Sequence, residues 1–232
     1  MQSANKNIEF KDLGIIDYPE AWDYQERLFN TILDIKKIKR DSKETIRLST
    51  PNFLLFCEHP HVFTLGKSGS QNNLLINEDL LKAKGATFYK TNRGGDITYH
   101  GPGQIVGYPI IDLENFDIGI KDYIFLMEEV IINTLKNYGI VSGRLGGASG
   151  VWLDADNKNA RKICAIGVKT SRFVCMHGFA FNVNTDLDFY NFINPCGFTD
   201  KGVTSMAKEL GKHMNFEEVK EKVKSNFIGL FS

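Results

Sequence analysis

The chain has 232 residues, of which 42% are hydrophobic and 24% charged, a composition that excludes a disordered polymer and is enough to bury one sizeable core. Its 28 basic and 28 acidic side chains cancel, so no global field draws it to nucleic acid or a membrane, and no apolar run approaches the roughly 20 residues needed to cross a bilayer. Four scattered cysteines without a C-x-x-C pair match neither a disulfide framework nor a zinc ribbon; with no secretory or transit signal at the start, the chain reads as cytoplasmic.

Taken in order, residues 19–37 predict a helix with Trp22, Leu28, Ile32 and Ile35 near one face. Residues 51–57 and 62–66 predict two short strands around a turn at Pro60, and Asn77 caps a short helix that stops at Gly85. Strands follow at 86–91, 96–100 and 104–111, separated by glycine-rich turns. A helix is predicted from about Lys121 to Tyr138, with Gly139 as its stop. Further strands fall at 151–153, 162–169 and 173–184, and Asn215 with Glu218 opens a last helix in a box-like start. With no repeat or linker, residues 1–232 read as a single domain. Strands in series with interspersed helices, without strict β-α-β alternation, predict an α+β fold with a mixed β-sheet and packed helices.

The densest unusual segment is RGGDITYHGPGQIVGYPI, Arg93 to Ile110. Gly94, Gly95, Gly101, Gly103 and Gly107 bare the main chain, which favours close approach to a ligand, and Arg93, Tyr99 and His100 add polar and aromatic groups. A pair of tight turns would explain any one of these glycines alone. No G-x-G-x-x-G opens a helix here and no Walker lysine is present, which argues against phosphate cradling.

The second segment is NPCGF, Asn194 to Phe198, which sets Cys196 in a turn where its sulfur can face a cleft. Cys57, Cys164 and Cys175 lie inside apolar runs and read as small buried hydrophobes. An ordinary thiol is only a few per cent thiolate at neutral pH, so a nucleophilic cysteine needs a cation or base nearby; Lys162 and His177 are the candidates. Cys57, His59 and His61 tempt a metal site, but Pro60 interrupts the strand and no fourth ligand is evident, so no metal is expected. The basic run Lys36, Lys37, Lys39, Arg40 reads as a solvated face or a patch for acidic partners, and His213 as solvated.

EHPHVFTLGK, RGGDITYHGPGQIVGYPI, KICAIGVK, MHGFAFNVN and NPCGF-TDKGVTSM together, spanning about 58–206, resemble the lipoyl (octanoyl) transferases of protein lipoylation. The resemblance implies the fold shared with lipoate- and biotin-protein ligases. It implies that Cys196 accepts the acyl group and that Lys162 is the catalytic lysine. It maps the acyl site onto Arg93, Gly94, Gly95, Asp96, Ile97, Thr98, Tyr99 and His100, onto Ala165, Ile166 and Gly167, and onto Gly178, Phe179 and Ala180. Asp96 departs from the glutamine of many relatives, and Ala165 from the serine of some.

The implied donor is octanoyl-acyl carrier protein; the implied acceptors are apo lipoyl domains of 2-oxoacid dehydrogenases and the glycine cleavage H protein. Exchange of one thioester for another is near neutral in energy, so no ATP and no cofactor is implied, and amide formation drives the second step. Lys162 is expected to stabilise the Cys196 thiolate and then handle protons. Rival readings are an ATP-dependent lipoate- or biotin-protein ligase, for which Cys196 has no purpose, a Cys–His hydrolase built on Cys196 and His177, and a non-catalytic lipoyl-domain binding module.

Overall fold

The structure, a computed structural model, describes residues 5–42, 48–194 and 201–232. Among the described residues the helices are α1 (Tyr18–Asp41), α2 (Glu78–Ala83), α3 (Ile120–Lys136), α4 (Met206–Leu210) and α5 (Phe216–Leu230). The strands are β1 (Ile8–Ile15), β2 (Asn52–Glu58), β3 (Val62–Leu65), β4 (Thr87–Lys90), β5 (Ile97–His100), β6 (Gln104–Asp112), β7 (Gly143–Leu145), β8 (Ala148–Leu153), β9 (Arg161–Ser171), β10 (Val174–Asn182) and β11 (Gly202–Val203). The fold is α+β, as the strand-rich sequence predicts.

The large sheet runs β1-β2-β6-β10-β9-β8-β7, with β11 beside β9; the β1–β2 and β9–β11 pairs are parallel and the others antiparallel. A small sheet, β4-β3-β5, is also mixed. The two strands flanking Pro60 therefore do not pair: β2 belongs to the large sheet and β3 to the small one, and the bend at Pro60 carries the chain between them.

Alternation along the strands explains the layering. Leu54 and Phe56 on β2, Ile105 and Ile111 on β6, and Cys175 and Phe181 on β10 meet α3 and α5 through Met127, Ile131, Val223 and Phe227. Their neighbours Leu55 and Cys57, Val106, Tyr108 and Ile110, and Val174 and Met176 meet Ala21, Phe29 and Ile32 of α1. A third cluster, including Phe63, Leu81, Ile97, Tyr99 and Ile193, fills the small sheet.

The local punctuation works as its residues demand. Asn77 Oδ1 accepts the Leu80 N–H at 3.0 Å, and Gly85 ends that turn at φ +62°. Gly139, at φ +74°, stops α3, while the Ile140 N–H returns to the Leu135 carbonyl at 3.1 Å. Asn215 caps α5 through the Glu218 N–H at 3.2 Å, but the Glu218 carboxylate does not close the box; it accepts the Tyr138 hydroxyl at 3.0 Å. In the basic run, Lys36 is not solvated: its Nζ meets Asp112 at 2.6 Å and Glu114 at 2.9 Å, tying α1 to the end of β6. No helix among the described residues is long and apolar enough to cross a membrane.

Candidate active site

A cavity of 520 Å³ lies between the centre of the large sheet and the glycine loop that leads into β5, within the range usual for small-ligand sites. It is lined by Arg93, Gly94, Gly95, Asp96, Ile97, Thr98 and His100, by Ala165, Ile166 and Gly167, and by Gly178, Phe179 and Ala180, together with Lys162 and His177. Three distant segments of sequence are thus brought to one place. Tyr99 is the exception: strand alternation turns its ring away, into a stack with Phe189 at 4.9 Å, and its hydroxyl pairs with His61 Nδ1 at 2.7 Å.

On the floor, β9 and β10 face each other in register as Ala165–Ala180 and Gly167–Gly178. Small residues are needed at this point. A Cβ at Gly167 would come within 2.9 Å of the Gly94 carbonyl and 3.3 Å of Arg93 Cδ. The close approach is used: the Gly94 N–H donates to the Val168 carbonyl at 2.9 Å. Gly95 holds φ +85°, and its carbonyl accepts the Ser68 N–H at 3.2 Å, so the loop is fastened to the end of β3 as well.

The Gly-rich segment splits into two parts with different work. Gly101 and Gly103 lie off the cavity; Gly103, at φ +77°, turns the chain into β6 with its N–H on Glu58 Oε2 at 2.7 Å and its carbonyl on the Asn184 N–H at 2.8 Å. That half is a structural turn.

Arg93 is buried, at 8% exposure, with Nη2 donating to the Thr64 carbonyl at 2.6 Å and to Thr64 Oγ1 at 2.9 Å. Asp96 is committed to the loop: one oxygen accepts Asn73 Nδ2 at 2.6 Å, the other the Ile97 N–H at 2.7 Å. The Asp96 carboxylate thus ties the loop to the 3-10 turn at 71–73.

His100 donates from Nδ1 to Gln104 Oε1 at 2.9 Å, because the Gln104 amide nitrogen is itself engaged by Asn182 Oδ1 at 2.9 Å. Its Nε2, 3.3 Å from Thr64 Oγ1, is then the acceptor. Burial first, and then the nearby His59 and Arg93, hold its pKa well below the usual imidazole value. His177 is likewise neutral, pushed down to about 3 by burial and then by Arg93 and Lys169. Its Nε2–H donates to Asn92 Oδ1 at 2.7 Å, and Asn92 in turn donates to Glu26 at 2.9 Å, which also takes Lys169 at 3.0 Å.

Lys162 lines the cavity, partly buried, its Nζ 4.7 Å from the centre of the Trp152 ring. Val203 pairs with it in the β9–β11 register, and the Thr204 N–H donates to the Lys162 carbonyl at 2.9 Å. Arg161 beside it is clamped by Glu209, which also accepts the Thr204 hydroxyl at 2.5 Å. Cys196 lies outside the described residues. Upstream of it, the Asn194 N–H donates to the Asn73 carbonyl at 2.8 Å.

The other cysteines are buried, as their apolar runs predict, and burial pushes the Cys57, Cys164 and Cys175 thiols up. Cys57 and His59 share one side, with Sγ 3.6 Å from Nε2, but His59 is engaged by the Ile16 carbonyl and Tyr108, while His61 turns to Tyr99. Sequence reasoning missed Tyr18, Tyr108, Ser149, Asn182 and Tyr190, which also line the cavity. Each reaches it from an element whose placement depends on contacts distant in sequence, so no local signal marks them.

The lipoyl protein ligase A/B catalytic domain matches residues 17–228. The chain is 58% identical to an octanoyltransferase of Christiangramia forsetii over 98% of its own length and 97% of that protein. It is also 58% identical to an octanoyltransferase of Flavobacterium psychrophilum, with the same coverage. Among solved structures, it superposes on the bipartite lipoate protein ligase of Thermoplasma acidophilum with a TM-score of 0.64 at 17% identity, covering 97% of this chain and 84% of that one. The chain belongs to the lipoyl protein ligase A/B catalytic-domain family.

Proposed function

We propose that this protein is an octanoyltransferase that carries the octanoyl group on Cys196 between two partners, the thioester arm of acyl carrier protein and the lysine of an apo lipoyl domain. Transfer of octanoyl is what its full-length relatives are named for. The single observation that carries the chemistry is the cavity: a floor of small residues, Ala165, Gly167, Gly178 and Ala180, with room for an alkyl chain, and Lys162 in the same lining.

In the first step the Cys196 thiolate attacks the donor's carbonyl carbon; the new carbon–sulfur bond forms as the carrier's thiolate leaves and takes a proton. In the second step the acceptor's neutral amine attacks the same carbon, Cys196 leaves as thiolate, and the amine gives up its proton. In this reading Lys162, which lines the cavity, stabilises the thiolate and relays those protons. His100 and His177, held neutral by burial, add no charge of their own to the cavity wall. The setting is cytoplasmic, in keeping with three unpaired buried thiols.

The test is the intact mass of the protein after incubation with octanoyl-acyl carrier protein, without ATP or metal. One octanoyl group should appear, be released by neutral hydroxylamine, and pass to an apo lipoyl domain. Cys196→Ala should carry none. Labelling that requires ATP would replace this reading with a ligase.

A further inference from the structure

Strand β9 carries an extra residue where it meets β8. Val151 of β8 faces Cys164, and the next residue, Trp152, faces Lys162, so Ile163 has no partner on β8 and forms a β-bulge. The bulge decides which way Lys162 points. Strict alternation would put Lys162 on the same face as Cys164, in the core with Val151 and Leu153. Ile163 and Cys164 both lie in that core, and the extra residue turns Lys162 to the opposite face, where it lines the cavity. Gly150 makes room for the bulge: it stands at φ +116°, and a Cβ there would overlap the Cys164 carbonyl.

Trp152 turns the same way. Paired residues of neighbouring strands share a face, and the indole, 2% exposed, has its ring centre 4.7 Å from Lys162 Nζ. Its Nε1–H donates to the Ala148 carbonyl at 3.3 Å, which fixes the plane of the ring. Lys162 and Ala148 line the cavity, whereas Trp152 lies behind them. Its route to the reaction is therefore through the lysine it touches. Tryptophan is the strongest aromatic partner for an ammonium, and the contact gains strength where water is excluded.

We propose that Trp152 is a positioning residue of the transferase, whose ring face holds the Lys162 ammonium at the cavity wall. This rests on the reading above of Lys162 as the group that handles protons. The indole touches no substrate. It narrows the positions open to a long flexible side chain, so weakening its hold lowers the rate of the chemical steps and leaves the binding of both partners alone.

The experiment replaces Trp152, at that position alone, by a singly fluorinated and by a ring-tetrafluorinated tryptophan. Fluorine draws electron density from the ring face with little change of size, so packing is kept while the attraction for a cation weakens. In octanoyl transfer from acyl carrier protein to an apo lipoyl domain, kcat should fall about twofold and then about tenfold, the range of one cation–π contact. KM for both partners should stay unchanged. A merely structural indole would leave kcat flat across the series, and that result overturns the proposal, as does a rise in KM with kcat unchanged. If the tetrafluorinated chain does not fold, the singly fluorinated one carries the test. Lys162→Ala, run alongside, separates the two readings. A flat series beside an inactive Lys162→Ala removes the role of Trp152 and leaves that of the lysine, whereas full transfer by Lys162→Ala removes both.

Discussion

The Gly94 N–H and the Val168 carbonyl are joined across 2.9 Å, and this bond clasps the glycine loop of one sheet to a strand of the other. The clasp exists because Gly167 has no side chain to hold the two main chains apart. Gly167→Val should therefore push the loop outward and slow acyl loading by about a hundredfold, as misplacement by an ångström commonly does. The rate of octanoyl-enzyme formation, followed by mass, checks this; an unchanged rate would mean that the loop plays no part in holding the acyl group.

Lys162→Ala is expected to reduce transfer by about 10²–10⁴-fold, the range for loss of a group that moves protons. Lys162→Arg should be nearly as damaging, because arginine keeps the charge but stays protonated at any accessible pH. Measuring the thiol alkylation rate alongside transfer separates the two roles: arginine should preserve alkylation while transfer falls. Full transfer by the arginine variant would confine Lys162 to charge stabilisation.

His100 is a scaffold, since it donates to Gln104 and accepts from Thr64, leaving no nitrogen for a substrate. His100→Ala should cost about 1–3 kcal/mol of stability by stranding buried partners, with octanoyl transfer reduced far less than in Lys162→Ala. Urea unfolding and transfer rates on one preparation test this. A loss of activity equal to that of Lys162→Ala, without loss of stability, would make His100 a base.

Three buried histidines give the fold an acid limit. Burial lowers His59 to about 4 and His177 to about 3, and holds His100 well down, whereas unfolded histidine titrates near 6.5. Below pH ~6.5 the unfolded chain therefore binds more protons than the folded one, so their stabilisation is full above that pH and is lost as pH falls toward 4 and 3. Urea midpoints should drop steadily from pH 7 to 4.5. His59→Gln should make that slope shallower by up to one proton, and an unchanged slope would show that His59 is not part of it.

Periodicity and punctuation made most of this fold legible: α3 with its Gly139 stop, and the caps at Asn77 and Asn215, follow from local rules. β1 went unread, although Ile8 and Phe10 alternate and both pack on the core. Its pairing partner is β2, and nothing near Ile8 in sequence announces a parallel neighbour. The same limit governs the site. Arg93, Gly94 and Gly95 were found because glycine is conspicuous, while Tyr108 and Asn182 look like any strand residues until the sheet is assembled. Lys36 was misread for the converse reason: its carboxylate partners lie on β6 and just beyond it, far along the chain.

The carboxy-terminal helix has a consequence for the order in which the molecule can be finished. Val219, Val223 and Phe227 of α5 and Phe231 just beyond it are buried against α3 and one face of the large sheet. A ribosome delivers α5 only after every strand of that sheet has emerged. Until then Phe56, Phe179 and Phe181 lack the cover that Val223 and Phe227 supply, and the nascent chain presents an open greasy face of the kind that chaperones hold. A stop codon ahead of Phe216 would make that transient condition permanent, yielding a chain with the whole cavity encoded yet prone to aggregate before it can be used.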